Sequence, residues 1–278
     1  MFNSLFLISI IIIINTLIIK NFSFLSKIFN LFDSPNPRKI HKKSTSLIGG
    51  VIFFFNFLVI QAVLIFISDN ENFFSLFSMK TLIIFNIFSL LVFFIGLLDD
   101  KYSLNPYVRL FGIATIIYFF ILFDPSIKID ELFFNYNQFA IKLGKFSVFF
   151  TILSILLFIN ATNMLDGINL QALLFFSFCF IILFLKLFYN FDILIIVISL
   201  FFLMFLNFRG KIFLGNNGVM LISFLLSIFF IKTYNQYSFF FADEIFLIML
   251  IPGLDMIRLF IQRLINKKNP FASDMEHI

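Results

Sequence analysis

Nine stretches of this chain are apolar for long enough to become membrane-spanning helices, and that leaves little room for any other kind of fold. They lie near residues 2–20, 47–67, 80–98, 107–123, 146–163, 170–187, 191–208, 212–232 and 243–262. A helix needs roughly 20 apolar residues to cross about 30 Å of hydrocarbon. Of the 278 residues, 61% are hydrophobic and only 13% charged, roughly half the charge of an ordinary soluble domain. The predicted class is therefore an all-α polytopic membrane protein of about nine transmembrane helices, with residues 1–278 as a single integral-membrane domain. The first run has neither a basic leader nor a small-residue cleavage site, so it is expected to remain as the first span.

Charge distribution orients the helices. Most of the 20 Lys and Arg residues fall in alternate connections: Lys27 to Lys43, Lys101 with Arg109, Arg209 with Lys211, and Arg258 to Lys268. The positive-inside rule makes those connections cytoplasmic and puts the N-terminus outside. The unusual polar clusters then all fall on the cytoplasmic face, so the active site is expected there. The hydrophilic stretch from Asp124 to Lys145 is expected outside, as a small hairpin. The single cysteine, Cys179, lies in an apolar run, rules out an intrachain disulfide and reads as packing. Two histidines make no zinc site.

Asp99 and Asp100 stand side by side where the third run ends. Adjacent carboxylates at the end of a span are costly unless a cation shares them, and hard oxygen ligands suit Mg²⁺, which commonly bridges one or two carboxylates to substrate phosphates. A solvated Asp pair ending a helix is the plainer alternative. Asn160, Asn163 and Asp166 recur every three residues at the end of the fifth run, which keeps them on adjoining parts of one helical face. They either line a polar pocket or simply end the helix, with Gly167 as C′. In the segment from Gly215 through Asn216 and Asn217 to Gly218, glycine allows close backbone approach, and the following helix offers amides to a phosphate; the same residues also make an ordinary turn. Arg38, Lys39 and His41 sit in a basic connection that serves topology and anionic lipid heads equally well. Asp255 and Arg258 are three apart and suit a helical ion pair; together with Arg263 they also suit a phosphate-facing cluster.

Taken in order, these clusters resemble the polyprenyl-phosphate N-acetylhexosamine-1-phosphate transferases, relatives of the phospho-N-acetylmuramoyl-pentapeptide transferases. The matching pieces are Asp33-Ser-Pro-Asn-Pro-Arg-Lys-Ile-His41 leading to Gly49-Gly50, Gly96-Leu-Leu-Asp-Asp100, and Asn160-Ala-Thr-Asn-Met-Leu-Asp-Gly167. Phe213-Leu-Gly215 with Gly218, then Pro252-Gly-Leu-Asp-Met-Ile-Arg258 running to Pro270-Phe271 and Asp274, complete the series. The resemblance covers nearly the whole chain.

It implies an enzyme of a bacterial cytoplasmic membrane that exchanges UMP on a UDP-N-acetyl sugar for a polyprenyl phosphate, the first step of a cell-envelope glycan. It implies Mg²⁺, with Mn²⁺ as a substitute, held by Asp99, Asp100 and Asn216, and catalytic roles for Asp99, Asp100 and Asp166. Substrate contacts fall to Arg38, Lys39, His41, Asn160, Asn163, Arg258, Arg263 and His277. The implied partners are the carrier lipid, the nucleotide sugar and the membrane, with no nucleic acid and with room for a homodimer.

Three positions depart from the family pattern. Asn216 stands where the family usually has an Asp ligand, keeping a carbonyl oxygen but losing a charge. Leu170 replaces a usual Gly. The chain stops at His277-Ile278, where the family continues through a histidine motif, so a C-terminal shortening is expected. These departures motivate a second reading, a non-catalytic homologue that binds carrier lipid or a partner enzyme. A third, a transporter, is weakened by the absence of an internal repeat and by acids placed at span ends, not at the bilayer midplane.

Overall fold

The computed structural model describes residues 2–33, 44–67, 76–135, 139–167, 169–187, 191–237 and 240–267. Ten α-helices account for most of them: α1 (Phe2–Lys20), α2 (Phe22–Phe29), α3 (Gly49–Ile67), α4 (Met79–Tyr102), α5 (Pro106–Phe123), α6 (Ser147–Leu165), α7 (Gln171–Lys186), α8 (Phe191–Phe208), α9 (Gly215–Tyr237) and α10 (Ala242–Ile265). Each of the nine apolar windows contains one helix, and α2 is the addition. Among the described residues four helices are long and apolar enough to cross a membrane, those at Met79–Tyr102, Pro106–Phe123, Gly144–Leu165 and Gly215–Gln236. A fifth is added if α1 and α2, bent by 76°, form one span.

The helices are apolar on both faces because their solvent is apolar. On α4 a buried stripe of Leu82, Phe85, Ser89, Val92 and Gly96 faces the interior, while Ile83, Ile87, Leu91 and Phe94 are exposed on the other side. A water-soluble helix would make that outer stripe polar. In hydrocarbon the helix must instead satisfy its own backbone, and an apolar exterior carries no penalty. Caps set several boundaries. Ser78 accepts the Thr81 N–H at 3.3 Å, Asn105 accepts the Tyr107 N–H at 3.0 Å ahead of Pro106, and Ser103 closes α4 in the left-handed region.

α9 is the axis of the bundle. Its membrane-spanning stretch is buried throughout, and α3, α4, α6 and α7 pack around it. Helix α10 packs on α6, α5 joins α4 and α6, and α8 lies against α1, α3 and α7. Close approach at one end of α9 depends on small residues. A Cβ on Gly218 would lie 2.8 Å from the Gly50 Cα, and one on Gly96 would lie 2.5 Å from the Asn217 Cα. The backbones of α3 and α4 therefore meet α9 directly.

Short β pairs finish the two ends. β1 (Phe32–Asp33) pairs with β2 (Thr45–Ser46), and the latter continues into a bridge with Ile212. Phe213 N–H donates to the Ser46 carbonyl at 2.8 Å, and Gly49 and Gly50 donate to the carbonyls of Phe213 and Leu214 at 3.2 and 2.9 Å. The open amides of α3 are thus satisfied by the segment that leads into α9. At the other end, β3 (Glu131–Phe134) and β4 (Phe139–Lys142) form the expected hairpin within 124–145. It is held down by Tyr234, whose hydroxyl accepts the Phe133 N–H at 2.7 Å and donates to the Glu131 carbonyl at 2.9 Å.

Candidate active site

Asp99 and Asp100 occupy the last turn of α4, so their side chains leave the helix about 100° apart, and they meet different neighbours. Asp99 turns toward α5. Its Oδ2 accepts Arg109 Nη1 at 2.9 Å, its Oδ1 accepts the Leu104 N–H at 2.9 Å, and its side chain is 5% exposed. Asp100 turns toward α9. It accepts the Asn216 N–H at 2.8 Å on Oδ1, and the Asn217 N–H at 2.9 Å on Oδ2, which also accepts the Asn217 side-chain amide.

Asp100 therefore caps the start of α9. The free amides that the glycine-rich turn offers to a phosphate are already taken by a carboxylate of the same chain, which gains from the positive end of the helix dipole. Gly215 makes this possible with φ +74° and no Cβ: one there would sit 2.9 Å from Asp100 Oδ2.

The end of α6 supplies the rest. Asn163 Nδ2 donates to Asn216 Oδ1 at 2.9 Å, joining α6 to α9. Asp166 is the residue after α6. Burial, and secondarily the charge of Asp100, push its carboxyl up to about 8. It is only partly covered by area, yet the depth at which it lies withholds enough water to disfavour the anion. Asp100, Asp166, Asn163 and Asn216 thus converge from α4, α6 and α9.

Asn160 does not join them through a hydrogen bond: its amide donates back to the Leu156 carbonyl at 2.9 Å within α6. Arg258 pairs with Asp255 at 2.8 Å as a helical ion pair, and Arg263 is buried. Arg38, Lys39, His41 and His277 lie outside the described residues. Sequence reasoning missed Arg109 and Asn217 as members of the site. The ten-residue separation of Arg109 from Asp99 carries no local signal, and Asn217 was hidden in what reads as turn composition.

The donor set fits a hard divalent cation. No group of three His, Cys, Asp or Glu residues that could hold a metal ion occurs among the described residues. Two carboxylates with amide oxygens are nevertheless what Mg²⁺ uses when substrate phosphates and waters complete its shell. A cation there would also offset the charge of Asp100, which adds to burial in raising the proton affinity of Asp166.

An apolar groove of about 420 Å³ runs between α6, α9 and α10, starting under the β3 hairpin at Leu132 and Phe134. Ile155, Phe158, Ile231, Ile245 and Met249 line it, and it reaches Ala161, within two helical turns of Asp166.

Residues 81–234 match the model of glycosyl transferase family 4. The undecaprenyl-phosphate alpha-N-acetylglucosaminyl 1-phosphate transferase of Pasteurella multocida is 31% identical over 275 residues, covering 89% of this chain and 70% of that protein. Proteins of the same name from Thermotoga maritima and Salmonella typhi are 27% and 26% identical. They cover 91% and 89% of this chain, and 76% and 68% of their own lengths.

Proposed function

This chain belongs to glycosyl transferase family 4, and from that premise we propose that it transfers N-acetylglucosamine 1-phosphate from UDP-N-acetylglucosamine to undecaprenyl phosphate, releasing UMP. The observation that carries this reading is the convergence of Asp100 and Asp166 with Asn163 and Asn216 from three helices. Carboxylates and amides gathered at the end of α6, with an apolar groove running along the same helix as far as Ala161, suit a substrate with a phosphate head and a hydrocarbon tail. The names of the relatives support the sugar and the carrier. The positive-inside pattern supports nine spans, an outside N-terminus and a site on the cytoplasmic face of a bacterial inner membrane, where a nucleotide sugar is available.

The reaction exchanges one phosphoanhydride for another, so positioning and charge neutralisation are the protein's main contributions. A Mg²⁺ ion held between Asp100, Asp166 and the Asn216 carbonyl oxygen would supply neutralisation of the diphosphate. Asp100 is held in place by α9, which limits its freedom to reorganise during the reaction. Asp166 is suited to take the remaining proton of the lipid phosphate as that oxygen attacks the sugar-bearing phosphorus and UMP leaves. Asp99 acts from behind, through its pair with Arg109. Asn163 holds Asn216 and borders the space for the nucleotide sugar, while the apolar groove would receive the polyprenyl chain.

The test is direct. Purified full-length chain in detergent, given Mg²⁺, undecaprenyl phosphate and UDP-N-acetylglucosamine, should release UMP and form a lipid-linked sugar diphosphate. A folded preparation that releases no UMP with this sugar or with other UDP-N-acetylhexosamines would rule the reading out.

A further inference from the structure

Asn217, on α9, joins that helix to two other parts of the chain at once. Its backbone N–H and its side-chain Nδ2 both donate to Asp100 Oδ2 on α4, and Nδ2 also donates to the Leu47 carbonyl ahead of α3 at 3.1 Å. The residue is fully buried. Glycines from three elements make its space: a Cβ on Gly96 would lie 2.5 Å from its Cα, one on Gly215 2.9 Å from its Nδ2, and one on Gly50 would collide with its Oδ1.

Two acceptors on Nδ2 fix which way the amide points. Its Oδ1 is consequently buried without a hydrogen-bond partner. A position kept only for packing has no reason to retain an unmet acceptor, since an apolar side chain of similar shape would avoid that cost. The amide is retained for what Nδ2 does to Asp100. With two donors on Oδ2 and one on Oδ1, the carboxylate keeps a single unused lone-pair direction, on Oδ1.

We propose that Asn217 is the positioning residue for Asp100: it saturates Oδ2 and leaves Oδ1 as the one oxygen through which Asp100 binds a divalent cation. This rests on reading Asp100 as a cation ligand in the proposed reaction. Asn217 itself touches neither cation nor substrate.

The experiment is a Mn²⁺ titration of the purified full-length chain in detergent, without substrates, following free Mn²⁺ by electron paramagnetic resonance. Asn217→Ala should weaken Mn²⁺ binding about tenfold, the usual scale for a residue that orients a metal ligand. It should raise the Mg²⁺ needed for half-maximal UMP release by a similar factor, while the KM for the nucleotide sugar at saturating Mg²⁺ stays within about twofold of wild type. If Asn217→Ala does not fold, Asn217→Ser carries the same test, with a smaller shift in the same direction. Wild type that binds Mn²⁺ but releases no UMP, with the variant still weakened, would sink the proposed reaction and keep the Asn217 role. Equal Mn²⁺ affinity in wild type and a folded variant, or absence of Mn²⁺ binding by wild type, would overturn the role, while UMP release decides the reaction separately.

Discussion

Arg109 and Asp99 form an ion pair at 2.9 Å across the turn between α4 and α5, with the arginine side chain 21% exposed and the carboxylate 5%. The pair fastens the turn directly behind Asp100, and its geometry is reinforced by the Leu104 amide on the other oxygen of Asp99. Removing the arginine leaves a largely buried carboxylate without its cation. Arg109→Ala should cost about 2 kcal/mol, below the roughly 3–5 kcal/mol for a fully buried pair because the guanidinium keeps partial access to water. Thermal unfolding in detergent measures it. A midpoint unchanged from wild type would show that the pair contributes nothing.

Asp166 predicts how stability follows pH. Its carboxyl titrates near 8 in the folded chain and at the ordinary 3.8 when unfolded. Between those values the native state holds a proton that the unfolded chain has released, so raising the pH across this window lowers stability, and the loss is complete above the folded value. Asp166→Asn has no such proton to lose. With a chelator present, the wild-type midpoint should fall relative to that of Asp166→Asn as pH rises from 5 to 9, and parallel curves would refute the assignment.

The same two acids should dominate turnover. Asp100→Asn and Asp166→Asn each remove a charge from the converging set, and each should lower UMP release about a hundredfold or more, as loss of a preorganised charged group does. Turnover within about threefold of wild type in either variant would place the chemistry elsewhere.

Leu170 occupies the left-handed region at φ 69°, with its N–H donated to Asn207 Oδ1 at 2.8 Å. A side chain there clashes with its own backbone at a cost of roughly 1–2 kcal/mol, which glycine escapes. Leu170→Gly should therefore stabilise the folded chain by about 1 kcal/mol, provided the leucine side chain contributes little packing. A lowered midpoint would mean that its packing outweighs the strain.

At the far end of α9, Lys232 pairs with Asp124 at 2.9 Å, and the two side chains are 1% and 3% exposed. Lys232 also donates to Ser126 Oγ at 2.8 Å. Lys232→Met strands a buried carboxylate and should destabilise by about 3–5 kcal/mol, whereas Lys232→Met with Asp124→Leu should recover much of that loss. A double variant no more stable than the single one would assign the loss to packing, not to charge.

Much of this protein was legible without coordinates. The length of each apolar run suffices to specify a helix in hydrocarbon, because such a segment must satisfy its backbone internally wherever it packs; that is why nine windows matched nine helices. The motifs around Asp99, Asp100, Asn163, Asp166 and Asn216 likewise marked where helices begin or end. What each side chain meets there was a different matter. Two adjacent carboxylates on one helix diverge by about 100°, and only the packing of α5 and α9 against α4 decided that Asp99 would be held by Arg109 and Asp100 by the amides of Asn216 and Asn217. Those contacts join residues from Leu47 to Asn217, and no local spacing encodes them. They follow from glycines that let three backbones approach so closely that one amide reaches them all.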